Sequence, residues 1–199
     1  MTLQINCVAT GPFAEVRQAF IGARLDAKIQ QFLKMEAEIV RGKIITSFPK
    51  QGLNTPWKKL SKWTLAFRKF KGFGGTKALI HTGELRKSVV TQYEKNHAFV
   101  GVLYSARSTT GKSLVNIARV QEYGATIIIK ITPKMRKFLA MVARFAGFSK
   151  TKTGGGGSSG GRTFMIVVIP PRPFMEPARY AWLSGLNQRI AQVFSNWEL

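Results

Sequence analysis

The stretch from residue 13 to 47 constrains this chain most. Phe13, Val16, Phe20, Ile29, Phe32, Ile39 and Ile44 approximate one helical face, with polar residues between them. That spacing predicts one long amphipathic helix whose apolar stripe must be buried against something else. Pro49, Gly52 and Pro56 break the pattern into a loop. A second helical pattern covers 57–71. Leu60, Trp63, Phe67 and Phe70 recur at spacings of three and four, and Lys58, Lys59, Lys62, Arg68, Lys69 and Lys71 occupy the other faces. Basic and aromatic residues interleave in the same way in single-strand binders. Here the helical period assigns the aromatics to the core. Ser61 offers a cap, and Gly72, Gly74 and Gly75 end the segment.

Further on, Thr82-Gly83-Glu84-Leu85 reads as a short helical entry, with Thr82 as the cap and Glu84 in the first turn, where the helix dipole favours an acid. Residues 88–94 and 98–104 predict a hairpin. Leu114–Tyr123 predicts a helix stopped by Gly124, 126–132 a strand, and Pro133 opens a helix over 134–145. A glycine-rich loop follows at 146–162, then a strand at 163–169 and a turn stiffened by Pro170, Pro171 and Pro173. A last helix over 174–197 carries Ala178, Trp182, Leu186, Ile190, Val193 and Trp197 on one side. Helices and strands do not alternate as in βαβ units. The expected class is α+β, a long N-terminal helix and a C-terminal helix packed on a small antiparallel sheet.

At 199 residues the chain suits a single domain. We expect residues 1–48 as an N-terminal helical arm, 49–145 as a helix and sheet core, 146–162 as the loop, and 163–199 as a strand plus the C-terminal helix. The apolar runs Ile127–Ile131 and Phe164–Ile169 are short and β-branched, so they read as strands, and no run approaches a membrane span. The first ten residues lack the pattern of a signal peptide. Cys7 is a single thiol, enough for neither an internal disulfide nor a cysteine-based metal site.

Charge sets the partner. The net charge is +22, and the basic residues cluster: ten lie between Glu38 and Glu84 and nine between Glu122 and Glu176, with no acid in either interval. Such a chain suits an acidic protein face, nucleic acid or anionic lipid. Two solvated helix faces would give the same clusters.

Motifs for catalysis or cofactors do not hold up. Gly111-Lys112-Ser113 resembles the end of a phosphate-binding loop, but Ala106 stands where that loop needs glycine. Gly155, Gly157 and Gly160 match a dinucleotide fingerprint formally, yet they follow a helix and precede a strand, the reverse of what phosphate binding needs. His81 and His97 are the only histidines and Asp26 the only aspartate, while Glu36 and Glu38 point apart on a helix. No catalytic, metal or cofactor site is expected.

Three segments form an ordered set. The first runs Gly52-Leu-Asn-Thr-Pro-Trp57-Lys-Lys-Leu60-Ser61-Lys-Trp-Thr64. The second is Leu79-Ile-His-Thr82-Gly83-Glu-Leu85-Arg86-Lys-Ser88. The third is Gln121-Glu122-Tyr123-Gly124, followed by Pro170-Pro171-Arg172-Pro173-Phe174. In this order they resemble the tailed-phage virion morphogenesis family, the Mu-like tail completion or head–tail joining proteins. The likeness covers about residues 50–180 and departs where Glu122 and Tyr123 separate Gln121 from Gly124. It implies a non-enzymatic structural protein of the virion neck or tail end, made in the bacterial cytoplasm. Its motif residues here are Trp57, Leu60, Thr64, Thr82, Gly83, Leu85, Gln121, Gly124, Arg172, Pro173 and Phe174.

The resemblance also implies an oligomeric ring, expected as a hexamer with a dodecamer as the alternative, meeting portal or adaptor and tail tube or terminator proteins and sometimes a DNA end. Lys58, Lys59, Lys62, Arg68, Lys69 and Lys71, then Lys134, Arg136 and Lys137, are the expected contacts to an acidic partner. The long N-terminal helix and the glycine-rich loop are the expected arms between subunits. Two rivals remain: a basic nucleic-acid-binding module, and a maturation factor absent from the finished particle.

Overall fold

The computed structural model describes residues 2–6, 23–148 and 163–195. Cys7, the first turns of the expected N-terminal helix (Phe13, Val16 and Phe20), residues 149–162 of the glycine-rich loop, and Trp197 lie outside them.

The fold is α+β, and its centre is a helix laid on a sheet. Helix α1 (Ala23–Lys50) buries Leu33, Ala37, Val40, Ile44 and Phe48 on one stripe. It packs on strands β2 (Val89–Tyr93) and β3 (His97–Val102) of an antiparallel three-stranded sheet, whose third strand is β1 (Thr2–Asn6). The strand order is β1-β3-β2, so β3 is central, and its alternate residues Ala98, Val100 and Val102 face the helix core. The helix is thus the spine of the core and not a free arm. An apolar stripe of this length is more stable covered than reaching into water. Strand β1 has no counterpart in the sequence reading, because its pairing partner lies far along the chain. Pro49 falls in the last turn of α1, and Gln51, at φ 59°, and Gly52 turn the chain away.

Among the described residues there are two sheets where one was expected. Strands β4 (Ala125–Lys130) and β5 (Phe164–Ile169) pair only with each other as an antiparallel ribbon, Ala125 opposite Ile169 and Lys130 opposite Phe164.

Helix α2 (Lys62–Phe70) starts later than the 57–71 pattern suggests, because Ser61 is its cap and accepts the Thr64 N–H at 3.1 Å. Trp57 to Leu60 are therefore not helical. Helix α2 packs on α5 (Pro133–Phe145) and the turn after it through aromatic rings: Trp63 stacks on Phe148 of that turn at 4.8 Å, Phe67 and Phe70 meet Phe138 edge-on at 5.8 Å, and Phe70 meets Phe145 at 5.5 Å. These rings form a cluster of their own. Trp63 and Phe67 stay nearly half exposed, so their assignment to the main core is corrected.

Short helix α3 (Glu84–Lys87) opens at Gly83, which adopts φ 75°, and no side chain caps it, so Thr82 does not serve as the cap. Helix α4 (Leu114–Tyr123) is capped by Ser113. The single C-terminal helix of the sequence reading is two, α6 (Glu176–Leu183) and α7 (Leu186–Ser195). They part at Gly185. The Arg189 Nη1 atom sits 2.5 Å from where a Cβ at 185 would stand, so a larger residue there would make the guanidinium shift. Arg189 there bonds the buried Glu36 of α1 at 2.7 and 2.8 Å, and Trp182 donates its indole N–H to the same carboxylate. This buried acid ties α1 to α6 and α7.

Candidate functional site

The joint between α4 and α6 positions the site. Glu122, in the last turn of α4, is buried, and its carboxylate accepts the backbone N–H groups of Phe174 at 2.9 Å, Met175 at 3.1 Å and Glu176 at 2.9 Å. These are donors that the start of α6 cannot satisfy internally, and the negative charge suits the helix N-terminus. Beside it the Arg172 N–H donates to the Gln121 carbonyl at 2.6 Å. Gly124 then turns the chain into β4 at φ 76°, and a Cβ there would lie 2.8 Å from the Ile169 carbonyl oxygen and 3.0 Å from Pro171. Behind the joint, the Trp57 indole donates to the Pro173 carbonyl at 2.8 Å, and Phe48 packs against both Trp57 and Phe174.

In front of the joint lies a cleft of about 600 Å³. Its walls come from the Lys58–Ser61 segment, α2, residues 79–85, α4, the end of β5, and Arg172. Seven of the eleven residues that carry the family likeness line it: Leu60, Thr64, Thr82, Gly83, Leu85, Gln121 and Arg172. The other four, Trp57, Gly124, Pro173 and Phe174, build the support just described.

Two arginines sit inside. Arg172 is 5% exposed, donating Nε to the Lys58 carbonyl at 3.2 Å and Nη1 to Gln121 Oε1 at 3.4 Å. Arg68 is 8% exposed and donates Nη1 to the Lys77 carbonyl at 2.8 Å. Burial lowers the pKa of both, and the charge of Arg68 adds to the lowering at Arg172. Both guanidiniums stay protonated all the same. The expectation for Arg68 is thereby corrected: it is no surface cation on a solvated helix face but part of the cleft wall, because Lys77 and the 79–85 segment stand against that side of the helix.

The other expected cations divide into two groups. Lys58 and Lys59 are exposed at the cleft. Lys62 and Lys69 on α2, Lys71 at its C-terminal cap, and Lys134, Arg136 and Lys137 on α5 are exposed on the packed helix pair, so both basic clusters of the sequence meet there. The Lys71 ammonium lies 5.8 Å from the centre of the Phe138 ring.

The ribbon beside the cleft is unusual in its outward face. Ile128, Ile166 and Val168 are 69%, 66% and 67% exposed, and Phe164 is more than half exposed. Among the described residues no group of three or more His, Cys, Asp or Glu is placed to hold a metal ion, and no helix is long and apolar enough to cross a membrane.

Sequence reasoning missed Glu122 and Glu36. Glu122 looked like an interruption of the Gln121–Gly124 turn, when it is the acid that holds the turn to α6. The available signal was its position at the border of a long acid-free interval. Compared with protein-family models, curated proteins and solved structures, the chain finds no match.

Proposed function

We propose that this chain is a structural assembly subunit that works through protein contacts, a ring-forming component of the neck or tail end of a tailed phage. The observation that carries the assembly part is the β4–β5 ribbon. Its outward face presents Ile128, Phe164, Ile166 and Val168 side by side. A contiguous apolar face of this kind is stabilised when another protein surface covers it. Identical subunits related by a rotation that closes would cover it in a ring. The phage part rests on the resemblance, and the gathering of its scattered motif residues around one cleft and one joint supports treating them as a single unit.

Deleting the gene from the phage genome that carries it and imaging the lysate by negative stain tests this reading. Filled heads beside separate, finished tails are expected for a joining role, and tails of uncontrolled length for a terminating one. Normal joined particles would overturn it.

One observation favours a second reading as a nucleic-acid-binding module. Trp63 and Phe67 are nearly half exposed beside Lys62, Lys69 and Lys71, the combination used for stacking and phosphate contact. Duplex or single-strand affinity that falls steeply with salt would support it.

A further inference from the structure

Arg68 and Arg172 are a buried pair of like charges with no carboxylate in ion-pair contact; the one acid on the cleft wall, Glu84, accepts from the Thr109 hydroxyl. Among the described residues the ion pairs are Arg41–Glu38, His97–Glu94 and Arg189–Glu36, so neither cleft arginine has a carboxylate partner. A guanidinium has five N–H donors. Arg68 uses one on a carbonyl, and Arg172 uses two on weakly charged oxygens. No buried side-chain nitrogen in the described residues lacks a hydrogen bond, so the spare donors are those open to the cleft. Burying a charge is costly unless it is paired. Two such charges on the wall of one preformed cavity mark the place of an anion.

We propose that this cleft receives an acidic peptide segment of a partner protein. A carboxylate of that segment bridges Arg68 and Arg172 while its neighbouring apolar side chains rest on Leu60, Leu79, Leu114 and Ile117. The planar carboxylate matches the fork of a guanidinium, and two forks hold both of its oxygens. The apolar walls choose peptide over nucleic acid. A phosphodiester strand is charged along its whole length and needs an open basic groove, whereas a glutamate or aspartate among leucines offers one charge and apolar flanks. The proposal extends the assembly reading by naming what enters the cleft. It is tested on the isolated protein, so its failure would leave the particle phenotype as a separate question.

The test is fluorescence anisotropy with a labelled decapeptide of alternating glutamate and leucine, at about 0.15 M salt to suppress long-range attraction. The controls are the matching glutamine–leucine decapeptide and a labelled thymidine decanucleotide. Wild-type protein is expected to bind the acidic peptide and not the neutral one. Arg172→Gln should weaken binding by ~10-fold or more, the loss expected for one charged hydrogen-bonding partner. The double variant Lys134→Gln with Lys137→Gln removes the same sign of charge elsewhere and should change binding by less than ~2-fold, as screened distant charges do.

Arg172 also braces the fold, so Thr64→Glu provides a second route. Position 64 is exposed at the start of α2, four residues before Arg68, and a carboxylate there fills the site from within. That variant should fold and lose the peptide. The proposal is overturned if wild type fails to bind at millimolar peptide, if the neutral peptide binds equally, if the lysine variant loses as much as Arg172→Gln, or if Thr64→Glu binds normally. A thymidine strand that binds tighter than the peptide and follows the same variants would assign the cleft to nucleic acid instead.

Discussion

The Glu122 carboxylate accepts the backbone N–H of Phe174 at 2.9 Å across 52 residues of sequence. It also takes the two N–H groups that follow, so one side chain holds the start of α6 against the end of α4. Glu122→Ala leaves two buried donors and a part-buried one unsatisfied and is expected to cost about 3 kcal/mol or more. Glu122→Gln keeps one acceptor and should cost roughly 2 kcal/mol. Urea unfolding with an unchanged slope measures both, and a loss below about 1 kcal/mol for alanine would contradict the bracing role.

Gly124 is held between strain and contact. Its φ of 76° is costly for any residue with a Cβ, and the new atom would meet the Ile169 carbonyl. Gly124→Ala should therefore destabilise by about 2 kcal/mol or more. A melting temperature within error of wild type would show that the turn relaxes.

The apolar ribbon predicts a composition-sensitive assembly. Ile128→Asp and Ile166→Asp, each on the outward face, should shift the protein from oligomer to monomer in multi-angle light scattering. Because both side chains already face solvent, melting of the monomer should change little. A wild-type protein that stays monomeric at high concentration would sink this prediction.

Acid should weaken the fold through Glu38 and Glu84. Hydrogen bonds from Tyr93 and then Thr91 hold the Glu38 pKa below its ordinary 4.5, and the Thr109 hydroxyl and backbone N–H do the same for Glu84. The unfolded chain then binds these protons more readily than the folded one. Their contribution is complete above about pH 4.5 and disappears as pH falls through the lower folded values. Glu38→Gln should flatten that acid limb of the urea midpoint while leaving its position above pH 6 little dependent on pH. A limb as steep as wild type would place the titration elsewhere.

Local chemistry made part of this fold readable in advance. The 89–102 hairpin, the helix behind Ser113, and Pro133 at a helix start each rest on neighbours in sequence. What escaped depends on distant partners. Strand β1 exists because β3 offers it an edge, and Arg189, one turn past the break at Gly185, finds its partner Glu36 153 residues away. The site was half legible for the same reason. The motif residues were visible, but Arg68 looked like any other cation on a basic helix until Lys77 and the 79–85 segment closed on it. Nothing near Glu122 in sequence reveals that its hydrogen bonds go to residue 174.

The ribbon and the cleft share a hinge plate. Strand β4 leaves directly from the Gly124 turn, β5 enters directly the turn that Glu122 clasps, and Val167, Val168 and Ile169 are at once ribbon and cleft wall. Both strands are anchored to the braced joint at the same end, where Ala125 stands opposite Ile169, and Lys130 and Phe164 form the far end. One stretch of backbone, residues 167–169, therefore carries the apolar outward face and the cleft wall together, so a substitution there touches both surfaces at once.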